Sequence, residues 1–549
     1  MALNPSSQSN SAVEVIDGTV SEFYNVVDSC IRRSEVMPGQ YKLITSPSYS
    51  NNCPIDESSF TTVDVGCPAP QVVDINNSFI TATIEVPIRF PAATFKSTTT
   101  TNAITFFVGW RSSLDILQRY IIYCNHKVVY DQVYVGEESF ILQSLIPEHV
   151  RCRRPHQYTT YDNASSFSPD VCGTYITLRS SAVNAALAAQ EITVKIPIKL
   201  DICQFLLFQN FKYLPGFCGT WSIKLYPSTQ NMIICPVNPK VLLTAAEANT
   251  LSAIDLTDYT HSFVQLGDKF KCLTVLDTTT AANTAFAVVS GITAGRAKVH
   301  DVLYHQTQFE LMYDVYDGLK ARYMSRPLTI PVNKLDYGRF AGSIASNSST
   351  YTAAVSNVES LFILPFPDDN HHTVCFNPEF ENLYLSISGF GNFPQQPFNT
   401  FNKVNEEEKH NRFINMTLDA LNINNSPIMA PNKDLLNSLE TKKVQSWLCN
   451  NGAITTPTTT PKHDISNFLI GIPFSNDIDF EGGLTSNGNI NIKLASTANT
   501  INSIANTYTA SPTSNIGATV MFCCDAALMI KCIPYADAPE VRLVCERIV

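Results

Sequence analysis

The stretch Ile80-Thr81-Ala82-Thr83-Ile84-Glu85-Val86-Pro87-Ile88-Arg89-Phe90 alternates between an apolar and a polar phase along its whole length. A period of two over eleven residues describes a β-strand with one buried face and one polar face. Its apolar-x-apolar-Pro core recurs in Val194-Lys195-Ile196-Pro197-Ile198-Lys199-Leu200, in Leu328-Thr329-Ile330-Pro331-Val332 and in Ile470-Gly471-Ile472-Pro473-Phe474. Two copies fall in each half of the chain, so one β-rich unit is used twice. Proline has no N–H to give to a ladder. Each of these strands is therefore expected at a sheet edge, near a strand end or at a bulge.

Further segments repeat in the same order. After Pro87 come the apolar strand Ile104–Trp110 and the strand Tyr120–His126, which runs into a turn. The Pro197 strand and Trp221–Tyr226 follow. After Pro331 come Ser360–Phe366, Leu383–Gly389 (again strand into turn), the Pro473 strand and Asn489–Leu494. The triplet Ile-Lys-Leu recurs at 223–225 and 492–494. Similarities in a fixed order indicate tandem related domains. Short strands, long loops and no βαβ rhythm predict an all-β fold with short helical loop insertions. Two tandem eight-stranded jelly rolls are the expected form.

The expected division is an N-terminal arm over residues 1–65, a first jelly roll over 66–243 and a second over 244–549. The joint is placed in the small-residue stretch Thr244–Ala253. Within the arm, Val20, Phe23, Val27, Cys30 and Ile31 fall at helical spacing and predict a short helix packed on the protein's own body. Ser112–Arg119 reads as a short helical turn with Leu114 and Leu117 on one face. In the second half, Asn402–Ile423 reads as an exposed helix and Asp434–Leu448 as another. The polar block around 402–462 ends in Thr455-Thr456-Pro457-Thr458-Thr459-Thr460-Pro461 and reads as a loop insertion.

A chain of 549 residues exceeds one ordinary core. Its 44% hydrophobic content supports packed domains, and its 15% charged content is low, consistent with a surface covered by partner subunits. A net charge of −11 argues against coating nucleic acid by charge neutralisation. The main basic cluster is Arg151-Cys152-Arg153-Arg154-Pro155-His156, read as a turn of solvated arginines. Residues 1–11 are polar, and no stretch reaches the ~20 apolar residues of a spanning helix. The sixteen cysteines are scattered apart from Cys523-Cys524, with no CxxC pair, so reduced thiols and an intracellular setting are expected.

Catalytic signals are few. Gly291-Ile292-Thr293-Ala294-Gly295-Arg296 resembles a phosphate loop only superficially, and the sequence has no H-E-x-x-H and no G-x-S-x-G. Asp368-Asp369-Asn370-His371-His372 lacks the spacing a metal site imposes and reads as a solvated loop. Asp477-Ile478-Asp479-Phe480-Glu481-Gly482-Gly483 lacks the EF-hand pattern and reads as a turn. Adjacent cysteines alternate faces in a strand, so one of Cys523 and Cys524 is expected to be buried and inert. Trp110 and Trp221 read as core anchors. No catalytic, cofactor-binding or metal-binding residue and no cofactor is expected, and the chain is not read as an enzyme. The ten dispersed histidines, with no H-x-H pair, argue against a bicupin-type enzyme.

The chain resembles the double jelly-roll major capsid proteins of polinton-like viruses, Maverick/polinton elements and virophages. The resemblance is carried by Ile84–Phe90 and by Phe107-Val108-Gly109-Trp110 through Val128-Val129-Tyr130 to Glu138-Ser139-Phe140-Ile141. It is carried also by Val194–Ile223, including Phe205-Leu206-Leu207-Phe208-Gln209 and Phe211-Lys212-Tyr213-Leu214-Pro215-Gly216-Phe217. In the second half only strand order and the insertion support it. The resemblance implies a homotrimer whose six rolls form a pseudo-hexagonal capsomer, tiling an icosahedral shell around a DNA genome. It implies a virion protein assembled inside the host cell and touching the packaged DNA only indirectly. Its partners would be itself, a penton protein, minor capsid proteins, a packaging ATPase and a maturation protease. The insertion near 402–462 would be a tower or clamp, and the arm would run beneath or between capsomers. The alternative is a minor capsid, fibre or glycan-binding double β-sandwich protein, which predicts exposed aromatics at loop tips.

Overall fold

The computed structural model describes residues 21–29, 41–45, 53–54, 60–67, 70–91, 101–110, 113–138, 141, 172–179, 190–227, 233–236, 269–277, 285–295, 297–339, 349–353, 357–366, 380–387, 391–400, 403–421, 443–444, 462–463, 469–474, 490–495, 517–532 and 540–544. Strands are numbered below in chain order. The alternating stretch lies in β4 (Gln71–Phe90), where Ile80, Ala82, Ile84, Val86, Ile88 and Phe90 are all buried. At roughly 1.5–3 kcal/mol per fully buried large aliphatic side chain, this row alone is a major driver of folding.

On one side β4 pairs with β15 (Lys298–Glu310), which pairs in turn with β1 (Tyr41–Thr45). On the other side β4 pairs with β9 (Gln190–Asp201). The facing sheet runs β3 (Thr61–Asp64), β11 (Trp221–Pro227), β6 (Leu117–Cys124), β7 (Lys127–Val133). Counted along the chain, these eight strands give sheet orders 1-8-3-6 and 2-7-4-5. The fourth strand turns into the fifth at Asn125-His126, both with positive φ (49° and 64°), as a two-residue hairpin turn requires.

The second unit repeats this order. Its first sheet is β16 (Leu328–Arg339), β25 (Gly517–Lys531), β18 (Val358–Phe366), β23 (Ile470–Pro473). Its second is β17 (Ser349–Ala353), β24 (Ile490–Ala495), β19 (Leu383–Ile387), β20 (Gly391–Phe398). These orders are again 1-8-3-6 and 2-7-4-5. The protein is therefore a double jelly roll. Both Ile-Lys-Leu triplets lie in seventh strands, β11 and β24.

The recurring prolines meet their constraint in three ways. β14 (Ala285–Ala294) and β15 run in line beside β4, with Ala294 opposite Ile88 and Lys298 opposite Glu85. The register therefore slips between Ala294 and Lys298, opposite Val86 and Pro87, as at a bulge. There Gly295 N–H donates to the Pro87 carbonyl at 2.7 Å, and a Cβ on Gly295 would come within 2.9 Å of the Pro87 ring. Pro197 and Pro331 lie in β9 and β16, which pair only with β4 and β25 among the described residues. Pro473 closes β23.

Several readings from the sequence are corrected. The Pro87 strand is the third of its roll and the Pro331 strand the first of the other, so they are not counterparts. The true counterpart of β4 is β18. The first roll begins instead with β1, which has no proline core and lies inside the expected arm 1–65. β3 lies there too. The predicted helix is present as α1 (residues 21–29), with Phe23 and Val27 buried. Thr244–Ala253 lies outside the described residues, but the strands after it still belong to the first roll. Sheet membership changes at helix α2 (Tyr313–Ser325), not at 244.

Ile104–Trp110 lies in β5 (Thr101–Trp110), which is not a roll strand. It joins β8 (Cys172–Arg179), β12 (Ile233–Pro236), β13 (Lys269–Asp277) and β14 in an extension of the first sheet. Three different connections of the first roll contribute to it, so the strand-built elaboration sits on this unit. The shorter β2 (Cys53–Pro54) and β10 (Tyr213–Pro215) add to β15 and β4.

The block around 402–462 opens with helix α3 (Glu407–Ala420), which is not an exposed helix. Phe413, Leu418, Ala420 and Leu421 are buried against the second roll. Thr417 Oγ1 accepts Gly471 N–H at 3.2 Å, and a Cβ on Gly471 would meet Ala420 Cβ at 2.9 Å. The helix thereby covers the outer edge of β23. Of the helix expected over Asp434–Leu448, only β21 (Lys443–Val444) is described, paired with β22 (Lys462–His463). The last strand, β26 (Glu540–Val544), adds to β25.

Candidate functional site: the joint between the rolls

The dense meeting of side chains from both rolls is their joint. It is built by the linker helix α2, by α1 and by the segment Phe205–Cys218. Phe217 of the first roll packs against Tyr316 and Tyr323 of α2, with ring centroids 5.4 and 6.1 Å apart. From the second roll, Cys532 N–H donates to the Tyr323 carbonyl at 3.1 Å and its thiol to the Phe217 carbonyl at 3.8 Å.

Helix α1 closes one side. Phe23 stands edge-on to Tyr323 at 6.0 Å, and Glu22 pairs with Arg322. The Tyr24 hydroxyl donates to the Asn210 carbonyl at 3.2 Å and accepts Lys212 N–H at 3.1 Å. Asp28 accepts the Lys212 ammonium at 2.6 Å and the Tyr213 hydroxyl at 2.7 Å. Burial pushes the Tyr24 hydroxyl up to about 12. Asn210 also reaches β16 directly, its Nδ2 donating to the Pro331 carbonyl at 3.0 Å.

The other side carries polar contacts. Leu335 N–H donates to the Tyr130 hydroxyl at 3.4 Å, and Thr519 Oγ1 donates to Glu137 Oε1 at 3.4 Å. Tyr134 meets Tyr337 edge-on at 5.2 Å. Beneath them Tyr120 donates to Glu138 Oε1 at 2.7 Å and accepts Leu206 N–H at 3.3 Å. Desolvation raises the Glu138 carboxyl to about 8, against the lowering effect of its hydrogen bonds. Desolvation also raises Tyr120 and Tyr130 far above the usual phenol range. This arrangement holds two domains together. Among the described residues it offers no aligned nucleophile and base.

The residues weighed for chemistry in the sequence do not converge. Arg151–His156, Asp368–His372 and Asp477–Gly483 lie outside the described residues. Gly291–Gly295 is strand and bulge, with Gly291 at φ 81°, rather than a loop before a helix. Cys524 is buried and Cys523 half-buried, as strand alternation requires. Trp221 is buried and donates Nε1–H to the Cys218 carbonyl at 3.1 Å. The side chain of Trp110 lies outside the described residues. Among the described residues no three His, Cys, Asp or Glu side chains group as metal ligands, and no helix is long and apolar enough to cross a membrane. Reasoning from sequence missed Glu137 and Glu138. Their signal was two adjacent carboxylates inside the largely apolar run Val133–Ile141.

The fold and joint define a two-domain β-protein of the double jelly-roll class. No family model matches the chain, and no curated protein matches it either. Among solved structures it is similar to a chain of the Sputnik virophage, at 13% identity and TM-score 0.43, covering 93% of this chain and 89% of that one. It is similar to the mavirus major capsid protein at 11% identity and TM-score 0.47, covering 92% and 90%. It is similar also to the Faustovirus major capsid protein at 8% identity and TM-score 0.40, covering 96% and 99%.

Proposed function

We propose that this chain is a structural major capsid protein and not an enzyme. One observation carries the reading: two complete jelly rolls with identical strand order, tied to each other by packed rings and hydrogen bonds. Three such chains present six similar rolls, the number a pseudo-hexagonal capsomer needs, and capsomers of that outline tile an icosahedral shell. The low share of charged residues suits a chain whose sides are covered by copies of itself. In this reading the protein resides in the virion and assembles inside the host cell. Its further partners are penton and minor capsid proteins, and the acidic chain encloses DNA without coating it.

Light scattering with negative-stain microscopy on the purified chain tests this. The expected result is a stable trimer of about 182 kDa, three times the chain mass of 60.7 kDa, with hexagonal outlines or closed shells. A chain that stays monomeric at high concentration overturns it. Phe60 and Tyr313, which are exposed, would then be the first aromatics to examine by glycan screening for the fibre or lectin-like alternative.

A further inference from the structure

We propose that Glu138 is a proton-dependent lock on the joint: the rolls are held together while its carboxyl is protonated and loosen when it ionises. The geometry is that of a carboxyl sealed inside the protein. Glu138 is fully buried; its carboxyl accepts the Tyr120 hydroxyl at Oε1 and is also favoured in its charged form by the Leu206 N–H, while among the described residues its Oε2 has no hydrogen-bond partner. The titratable groups facing it are Tyr120 from β6 and Tyr130 from β7. Glu137 precedes it, and Asp336 and Cys523 of the second roll lie beyond Tyr130. None of these is a cation. An ionised Glu138 would be a buried charge without a counter-charge among the described residues, the most costly state for a carboxylate.

The strain of ionisation has a short path to the second roll. Tyr120 links Glu138 to the backbone at Leu206. Its ring stacks near Tyr130 with centroids 6.0 Å apart, and the Tyr130 hydroxyl accepts the Leu335 amide of β16. Glu137, the next residue, meets Thr519 of β25. Solvating Glu138 requires water to enter between these groups, which parts the contacts that join the rolls.

The sign follows from linkage. The folded carboxyl titrates near 8 against an ordinary 4.5, so the folded chain holds a proton that the unfolded chain gives up. Its contribution is complete below pH 4.5, falls between 4.5 and 8, and is gone above 8. The buried thiols of Cys67 and Cys124, pushed up to about 12 by desolvation, do not titrate in this window. The lock belongs to the folded chain itself, so it operates whether or not copies assemble.

Thermal melts of the whole chain from pH 6.5 to 9, run beside hydrogen exchange at Leu335, test it. The wild type is expected to lose about 2 °C in Tm over this range. Exchange at Leu335 should rise beyond its intrinsic pH dependence. Glu138→Gln should lose less than half as much, and Glu137→Gln should follow the wild type. Tyr120→Phe, lacking the bond that lowers the carboxyl, should shift the loss to higher pH. Equal pH slopes for Glu138→Gln and wild type, or unchanged Leu335 exchange in the wild type, would overturn the proposal.

Discussion

The sixth strands of the two rolls, β9 and β23, share a motif and a place in the sheet but not an environment. In β9 the residue before Ile196 is Lys195, exposed and paired with Glu85 at 2.8 Å. In β23 the corresponding residue is Gly471, buried under α3, whose backbone and Ala420 occupy the space a side chain would need. One edge is blunted by charge and proline. The other is sealed by a helix. The same β-framework thus solves its edge problem twice, by different means, and the differences between the rolls lie in what covers them.

The shared part should break most severely. Ile196→Asp or Ile472→Asp places a charge in a sheet core where the native residue is no more than 1% exposed. Either should abolish folding, and a soluble, native-like Ile196→Asp protein would refute the strand assignment. Phe23→Ala should come next, costing about 3 kcal/mol. Because Phe23 bridges α1 to α2 at the joint, calorimetry should show one unfolding transition separating into two. A single transition at the wild-type temperature would remove α1 from the joint. Gly471→Val should destabilise the second roll by about 2–3 kcal/mol through overpacking against α3. The matched Lys195→Val should leave thermal stability unchanged, since it removes only an exposed ion pair. Equal losses at both positions would erase the distinction between the edges.

The eight-strand repeat was legible where strands are half-buried, because alternation there leaves a direct trace. The fourth, sixth and seventh strands of each roll were matched correctly through Tyr120–His126, Pro197 and Ile223-Lys224-Leu225. The first strand of the first roll was not, because Tyr41–Thr45 is five residues without a motif. The Pro87 and Pro331 strands share a motif but not a position, since one is a central strand at a bulge and the other an edge. Proline marks a missing donor, which several positions in a sheet can accommodate. Helix α3 was read as exposed from Glu406-Glu407-Glu408, yet its buried face is set by Phe413, Thr417 and Leu418 at helical spacing. The joint was illegible for another reason. Its members, Phe23, Phe217, Tyr323 and Cys532, are far apart in sequence, and tertiary packing alone brings them together.

The most direct test of the account is an electron cryomicroscopy map of the assembled chain. Three chains carrying two rolls each should give six similar barrels. The β5, β8, β12, β13 and β14 extension should rise on alternate barrels only, so that a six-cornered body carries threefold decoration. The strand Tyr41–Thr45 should lie beside β15 in each decorated barrel. A map with one barrel per chain, with the extension on every barrel, or with Tyr41–Thr45 outside the first roll's sheet would contradict it.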